Sequence, residues 1–151
     1  MQIGNKNFDL KKRTCICGIL NMTPDSFSDG GKWKDIDRAL SHTEEMIRGG
    51  ADIIDVGGES TKPGYLPVSV GEEMSRVVPV IEQIKKHFDV PISIDTQKAE
   101  VAAEAVSAGA SMLNDVSGIG YTKLKGSYPD DMHMPIVLTH NSESKYARLR
   151  D

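Results

Sequence analysis

Gly50-Ala51-Asp52-Ile53-Ile54-Asp55-Val56-Gly57-Gly58 reads as the stop of one element, the whole of a second and the start of a third. Glycine takes the backbone that closes a helix, residues 52–56 form a short apolar run of strand length, and the paired glycines open a loop. Upstream, Ile36, Ala39, Leu40, Thr43, Met46 and Ile47 recur at helical spacing over 35–48, until Gly49-Gly50 stops them. Downstream, Ser69 and Glu72 have the spacing of a capping box, which predicts reciprocal bonds to two free backbone donors. Met74, Val77, Val78, Ile81, Ile84 and Phe88 then line one face of the next helix. A strand held between two helices predicts a parallel sheet with helices packed on it.

The rhythm continues in both directions. Arg13 to Leu20 predicts a buried strand ending at Asn21; Pro91 to Asp95, Ser111 to Asp115 and Pro135 to Thr139 predict three more. Thr96 stands where it would cap an alanine-rich helix over Lys98 to Ser107. Between Gly118 and Met134 the pattern degrades: Gly126, Pro129 and no apolar period predict a worn helix or an irregular loop. Gly50-Ala51-Asp52-Ile53-Ile54-Asp55 is echoed by Gly109-Ala110-Ser111-Met112-Leu113-Asn114, two strand–helix units later. The expected architecture is α/β, an incomplete TIM-type (β/α) barrel in one domain over 1–151, with about five of the eight strands that a barrel of roughly 250 residues needs. An open sheet of that kind leaves strand edges and apolar surface uncovered, so the chain is a fragment, a shortened relative or one part of an oligomer.

Composition narrows the function classes. With 151 residues, 38% hydrophobic and a net charge of −4, the chain can build a core and is not of the disordered class. No apolar run reaches the roughly 18 residues of a membrane span, and Met1-Gln2-Ile3-Gly4-Asn5-Lys6 is too polar for a signal peptide. The mild acidity argues against nucleic acid as the main partner. Cys15 and Cys17 lie too close along one strand to bridge easily; they are expected to be small core residues in a reducing, cytoplasmic setting.

Chemistry in barrels sits at the carboxyl ends of the strands. There stand Asn21, Asp55, Asp95-Thr96, Asn114-Asp115 and His140-Asn141. Capping explains any one of them; the set as a whole points to a site. Asp95 and Asn114 make a carboxylate–amide pair: the first accepts from ring N–H and amino donors, the second donates and accepts. Adjacent strands lie about 4.8 Å apart, so both can meet one edge of a flat heterocycle. Asp55 and Asp115 either join them or serve hydrogen bonds beneath the floor. The stretch from Asn21 to Gly31, with Pro24, Phe27 and Gly30-Gly31, is either a loop that closes over substrate or a surface loop with Phe27 packed under it. Gly57 to Gly64 supplies hydroxyls, backbone donors and Lys62, as an anion requires, though not in the order of a Walker loop. His42, His87, His133 and His140 lack metal-ligand spacing, and Ser117 lacks the glycines of a nucleophile elbow.

At four blocks the sequence resembles the dihydropteroate synthases, folate-pathway transferases of the pterin-binding barrel family. The blocks are Gly18-Ile19-Leu20-Asn21-Met22-Thr23-Pro24-Asp25-Ser26-Phe27-Ser28-Asp29-Gly30-Gly31, Asp55-Val56-Gly57-Gly58-Glu59-Ser60-Thr61-Lys62-Pro63-Gly64, Ser93-Ile94-Asp95-Thr96 and Asn114-Asp115-Val116-Ser117-Gly118. The resemblance runs from about Cys15 to Asn141 and covers the first half or so of the family's usual length. It implies condensation of 6-hydroxymethyl-7,8-dihydropterin diphosphate with 4-aminobenzoate, releasing pyrophosphate, by a family that sulfonamides target. It assigns Asp95, Asn114 and Lys62 as catalytic, with Asp95 and Asn114 holding the pterin. By the same resemblance Asn21 would serve Mg²⁺ and the departing pyrophosphate. Thr61, Lys62 and Pro63 would lie beside the aminobenzoate, Ser26 would contact substrate, and Phe27 would shield the developing pterin cation from water. Partners are small molecules, and a homodimer is compatible with them.

Departures from the family pattern bear on activity. Lys62 stands where arginine is usual, which keeps the charge but loses the planar fork. Thr139-His140 stands where Met-His is usual, and the stretch from Tyr121 to His133 has no family likeness. The later Asp-Pro-Gly, Ser-Arg-Lys and Arg-x-His segments, which complete the pterin and phosphate sites, have no counterpart. Two rival readings follow. One is a relative that uses the same pterin cradle for methyltetrahydrofolate and a corrinoid protein, against which the loop from Thr23 to Gly31 argues. The other is an inactive pterin-binding fragment or assembly partner.

Overall fold

A computed structural model of the chain describes residues 1–23, 32–60, 66–116 and 134–139. Two short strands, β1 (Gln2–Ile3) and β2 (Lys6–Asn7), pair antiparallel. The remainder alternates as β3 (Cys17–Asn21), α1 (Lys32–Arg48), β4 (Ile53–Gly57), α2 (Val70–His87), β5 (Ile92–Asp95), α3 (Ala99–Ala108), β6 (Met112–Asp115) and β7 (Ile136–Leu138). Strands β3 to β7 form one sheet in which every neighbouring pair is parallel and the spatial order repeats the chain order. A steady advance by one neighbour per helix is the winding of a (β/α) barrel; doubly wound sheets reverse direction at a switch point. The expected incomplete α/β barrel of five strands is therefore present.

Strand alternation divides the side chains between two faces. Leu20, Ile54, Val56, Ile92, Ile94 and Leu113 point to the helices, where Val77, Val80, Ile81 and Ile84 of α2 and Val101, Ala102 and Ala105 of α3 complete the main core. The small alanines let α3 lie close to the sheet and to α2. The buried face of α2 differs from the expected one: Val80 and Glu73 are fully buried, whereas Met74, Val78 and Phe88 are half-buried. On the other face, Ile53 and Met112 meet Ile3 and Phe8 from the N-terminal hairpin and half-buried Cys15, which plugs the amino ends of the strands. Gly4 turns that hairpin at φ +57°, a left-handed conformation that glycine adopts without steric cost. So short a hairpin carries no periodic signal, and sequence reasoning did not anticipate it.

Several expected boundaries are corrected. The first strand begins at Cys17 rather than Arg13, because Asp52 claims the intervening residues. Its carboxylate accepts from the Ile16 amide at 2.9 Å and from the Arg13 guanidinium at 2.6 and 2.8 Å. Those bonds, the Arg13 one foremost, hold the Asp52 carboxyl down at about 2. Only one arm of the capping box forms: the Ser69 hydroxyl accepts from the Glu72 amide at 3.2 Å, while the Glu72 carboxylate turns to Arg76 one helical turn on. Thr96 is not the cap of α3. That position belongs to Lys98, and Thr96 accepts from the Lys98 amide at 3.2 Å. Cys17 is exposed on the open face rather than in the core, and both cysteines are free. At the two sheet edges Ile19 and Leu138 are 63% and 54% exposed, where a closed eight-stranded barrel would cover them. Among the described residues no helix is long and apolar enough to cross a membrane. The stretch 121–133 lies outside the described residues.

Candidate active site at the carboxyl ends of the strands

Register decides which polar residues meet. Asn21 of β3 is paired with Gly57 of β4, Gly57 with Asp95 of β5, and Asp95 with Asn114 of β6. Four adjacent strands thus present one row at their carboxyl ends, on the face away from the helices. Three of the sequence-predicted site residues, Asn21, Asp95 and Asn114, stand in that row. Gly57 is the gap between two of them: a Cβ there would lie 3.5 Å from Asn21 Oδ1 and 3.6 Å from Asp95 Oδ2. With no side chain at Gly57, both polar groups converge on open space.

A second row lies two residues deeper, where Asp55 pairs with Ser93. Asp55 is buried, and its Oδ2 accepts from the Asn114 amide at 2.9 Å. Asp55 Oδ1 and Ser93 Oγ are buried without a hydrogen-bond partner among the described residues. Buried polar atoms are almost always satisfied, so such a pair marks a place where something else supplies the bonds. Of the two roles left open for Asp55, the structure shows the hydrogen-bonding one: it fastens Asn114.

Electrostatics follow from this crowding. Burial pushes the Asp95 carboxyl up to about 7, and the negative charges of Asp55, Glu73 and Asp115 add to the effect. A carboxyl poised there changes near neutrality from a neutral donor–acceptor to a pure acceptor. For a flat ring rich in N–H groups, the ionised form is the complementary one.

Behind the row lies a charged network that sequence reasoning missed. Lys98 Nζ donates to Glu59 Oε2 and to Glu73 Oε2, each at 2.6 Å. Thr96 Oγ1 donates to Glu73 Oε1 at 2.7 Å, the Val68 amide donates to Glu59 Oε2 at 2.8 Å, and Arg76 donates to the Gly58 carbonyl at 2.8 Å. The available signal was Glu73, an acidic residue one helical turn before Val77 on an otherwise apolar face. Gly58 must be glycine here, since a Cβ would come within 2.8 Å of Val77 Cγ1 and 2.9 Å of Glu73 Cγ. Ser26, Phe27, Thr61, Lys62, Pro63 and His140 lie outside the described residues.

Comparison with known proteins agrees with this fold. Residues 17–149 match the model of the family described as pterin binding enzyme. A dihydropteroate synthase of Clostridium beijerinckii is 56% identical over 144 residues, which is 95% of this chain and 54% of that protein. The chain superposes on the dihydropteroate synthase of Clostridium difficile, crystallised in the presence of pteroic acid, with a TM-score of 0.82 and 47% identity, covering 91% of this chain and 52% of that one. For a Xanthomonas albilineans dihydropteroate synthase with 4-aminobenzoic acid, the TM-score is 0.77 and the identity 44%, over 85% of this chain and 46% of that one. The chain thus spans about half the length of the relatives it matches.

Proposed function

Since this chain belongs to the pterin binding enzyme family, we propose that it carries the pterin-holding part of a dihydropteroate synthase site. The reaction joins 6-hydroxymethyl-7,8-dihydropterin diphosphate to 4-aminobenzoate, giving 7,8-dihydropteroate and pyrophosphate. The observation that carries this reading is the row of Asn21, Gly57, Asp95 and Asn114, a band of hydrogen-bonding groups suited to one flat heterocycle. Relatives whose structures were determined in the presence of pteroic acid and with 4-aminobenzoic acid support it.

Each residue then has a chemical task. Ionised Asp95 accepts from the N–H and amino donors of the pterin edge, and Asn114, oriented by Asp55, presents its amide oxygen beside it. The bond between the pterin methylene and the diphosphate breaks, and its electron pair leaves with pyrophosphate. The aryl amine forms the new C–N bond and then loses a proton. Lys62, with Thr61 and Pro63, belongs by family likeness to the loop beside the aminobenzoate. Ser26 contacts substrate, and Phe27 keeps water from the developing cation. Free cysteines suit a reducing, cytoplasmic enzyme.

The family also implies Mg²⁺. Among the described residues no group of three His, Cys, Asp or Glu side chains could hold a metal. Exposed Asn21 offers one amide oxygen, which fits the Mg²⁺ mode in which phosphates and waters fill most positions. Bound there, Mg²⁺ would offset charge on the departing pyrophosphate.

A pyrophosphate-release assay on the purified chain tests the reading, with pterin diphosphate, 4-aminobenzoate and Mg²⁺ supplied together and singly. Release that needs both substrates supports it. Pterin binding without release confines the chain to binding. A folded chain that binds no pterin overturns the assignment.

A further inference from the structure

The charged network behind the row joins the two strand exits that carry it. Glu59 follows Gly57 by two residues and Thr96 follows Asp95 by one; Lys98 and Glu73 connect them through three hydrogen bonds of 2.6 to 2.7 Å. The Glu73 side chain is 1% exposed, and those of Lys98 and Glu59 are 20% and 19% exposed. A carboxylate as deeply buried as Glu73 persists only when paired. Lys98 is its sole cationic partner among the described residues and also grips Glu59, to which the Val68 amide is bonded at 2.8 Å. We propose that Lys98 is a positioning residue for the ligand-facing row: by bridging Glu59 and Glu73 it ties the exit of β4 to the exit of β5, and so fixes Gly57 and Asp95 relative to one another.

The groups surrounding Asp95 explain why the bridge matters beyond packing. Asp55 on β4, Asp115 on β6 and Glu73 on α2 all press negative charge upon it. Lys98, at the start of α3, and Glu59, after β4, complete the nearby charges. Lys98 pairs with Glu73, the acidic group that approaches from the helix layer, and through it is tied to the surroundings of Asp95.

The test has one readout that needs no ligand and one that does, the second resting on the pterin reading above. Amide exchange at Val68 reports whether Glu59 is still held, with Ile54 and Ile94 as core references. Lys98→Met should raise exchange at Val68 about tenfold and weaken binding of 6-hydroxymethylpterin about tenfold, while the two references record the global destabilisation that the stranded Glu73 charge brings. Lys98→Arg, which restores a cation, should recover most of both losses. Since Lys98→Met strands the buried Glu73 charge, the double variant Lys98→Met with Glu73→Gln leaves no uncompensated buried charge and should show the same two losses in a folded protein. A folded double variant with parental Val68 exchange overturns the bridge. Val68 released without any change in pterin affinity overturns its role for the row. If the parent itself binds no pterin, the functional reading fails, while Val68 exchange still decides whether the bridge exists.

Discussion

Asn114 donates its side-chain amide to Asp55 at 2.9 Å, reaching from β6 to β4 past the intervening strand. The bond turns the NH₂ group inward and leaves the amide oxygen as the acceptor available to a ligand. Asp55→Ala frees that amide to rotate. Pterin affinity should fall about tenfold, the worth of one hydrogen bond to a charged group. Stability should hold, because the change also removes a buried carboxylate oxygen that has no partner. Calorimetric binding beside urea unfolding checks both halves, and parental affinity in the variant would refute the orienting role.

Asp95 should make pterin binding and folding respond to pH in opposite senses. Its folded carboxyl titrates at about 7, above the ordinary carboxylate range. The native state therefore binds the extra proton between about pH 4 and 7, and this group's contribution to stability declines as pH rises through that window. Binding should strengthen over the same rise, because the ligand's donors need the ionised acceptor. Asp95→Asn should flatten both profiles between pH 5 and 8. Subtracting the variant's urea midpoints from the parent's isolates this group from Asp52 and Asp89, whose lowered carboxyls lose their stabilising contribution only as the medium becomes more acidic.

Gly58 is held against α2 by the Arg76 bond to its carbonyl. The added methyl of Gly58→Ala would overlap Val77 and Glu73, which predicts a loss of about 1–3 kcal/mol. Urea unfolding measures it. A neutral result would mean that the strand exit can move away from the helix.

Lys98→Ala should destabilise the fold by about 3–5 kcal/mol, since it leaves Glu73 charged in the core. Pairing Lys98→Met with Glu73→Gln should cost far less, because no buried charge is then left alone. The two unfolding curves, measured at pH 7, distinguish loss of an ion pair from loss of side-chain packing.

Much of the architecture is visible in local pattern. Helix stops at Gly49-Gly50 and Gly109, short apolar runs around Ile53 and Ile92, and polar residues at nearly every strand end announce parallel strand–helix units. These signals are local because backbone hydrogen bonding and side-chain periodicity act over a few residues. Boundaries failed where a side chain outcompeted the ladder, as Asp52 does at Arg13 and Ile16. The N-terminal hairpin was missed because two-residue strands have no period, and Ile3 is buried in a cluster that includes Ile53 and Met112, far along the chain.

For the site, residue type and spacing alone were enough to single out Asn21, Asp95 and Asn114, since strand-end polarity needs no knowledge of neighbours. Their alignment in one row depends on inter-strand register, which is set by packing across the whole sheet. The same holds for Asp55, an ambiguous acid in sequence whose task of holding Asn114 emerges only once β6 lies within reach of β4. Lys98, Glu59 and Glu73 are ordinary charged residues in one dimension. Folding brings them within 2.6 Å in a buried space, where low polarity makes each charge costly alone and directive when paired. Local chemistry thus named the candidates, and long-range packing chose which of them meet.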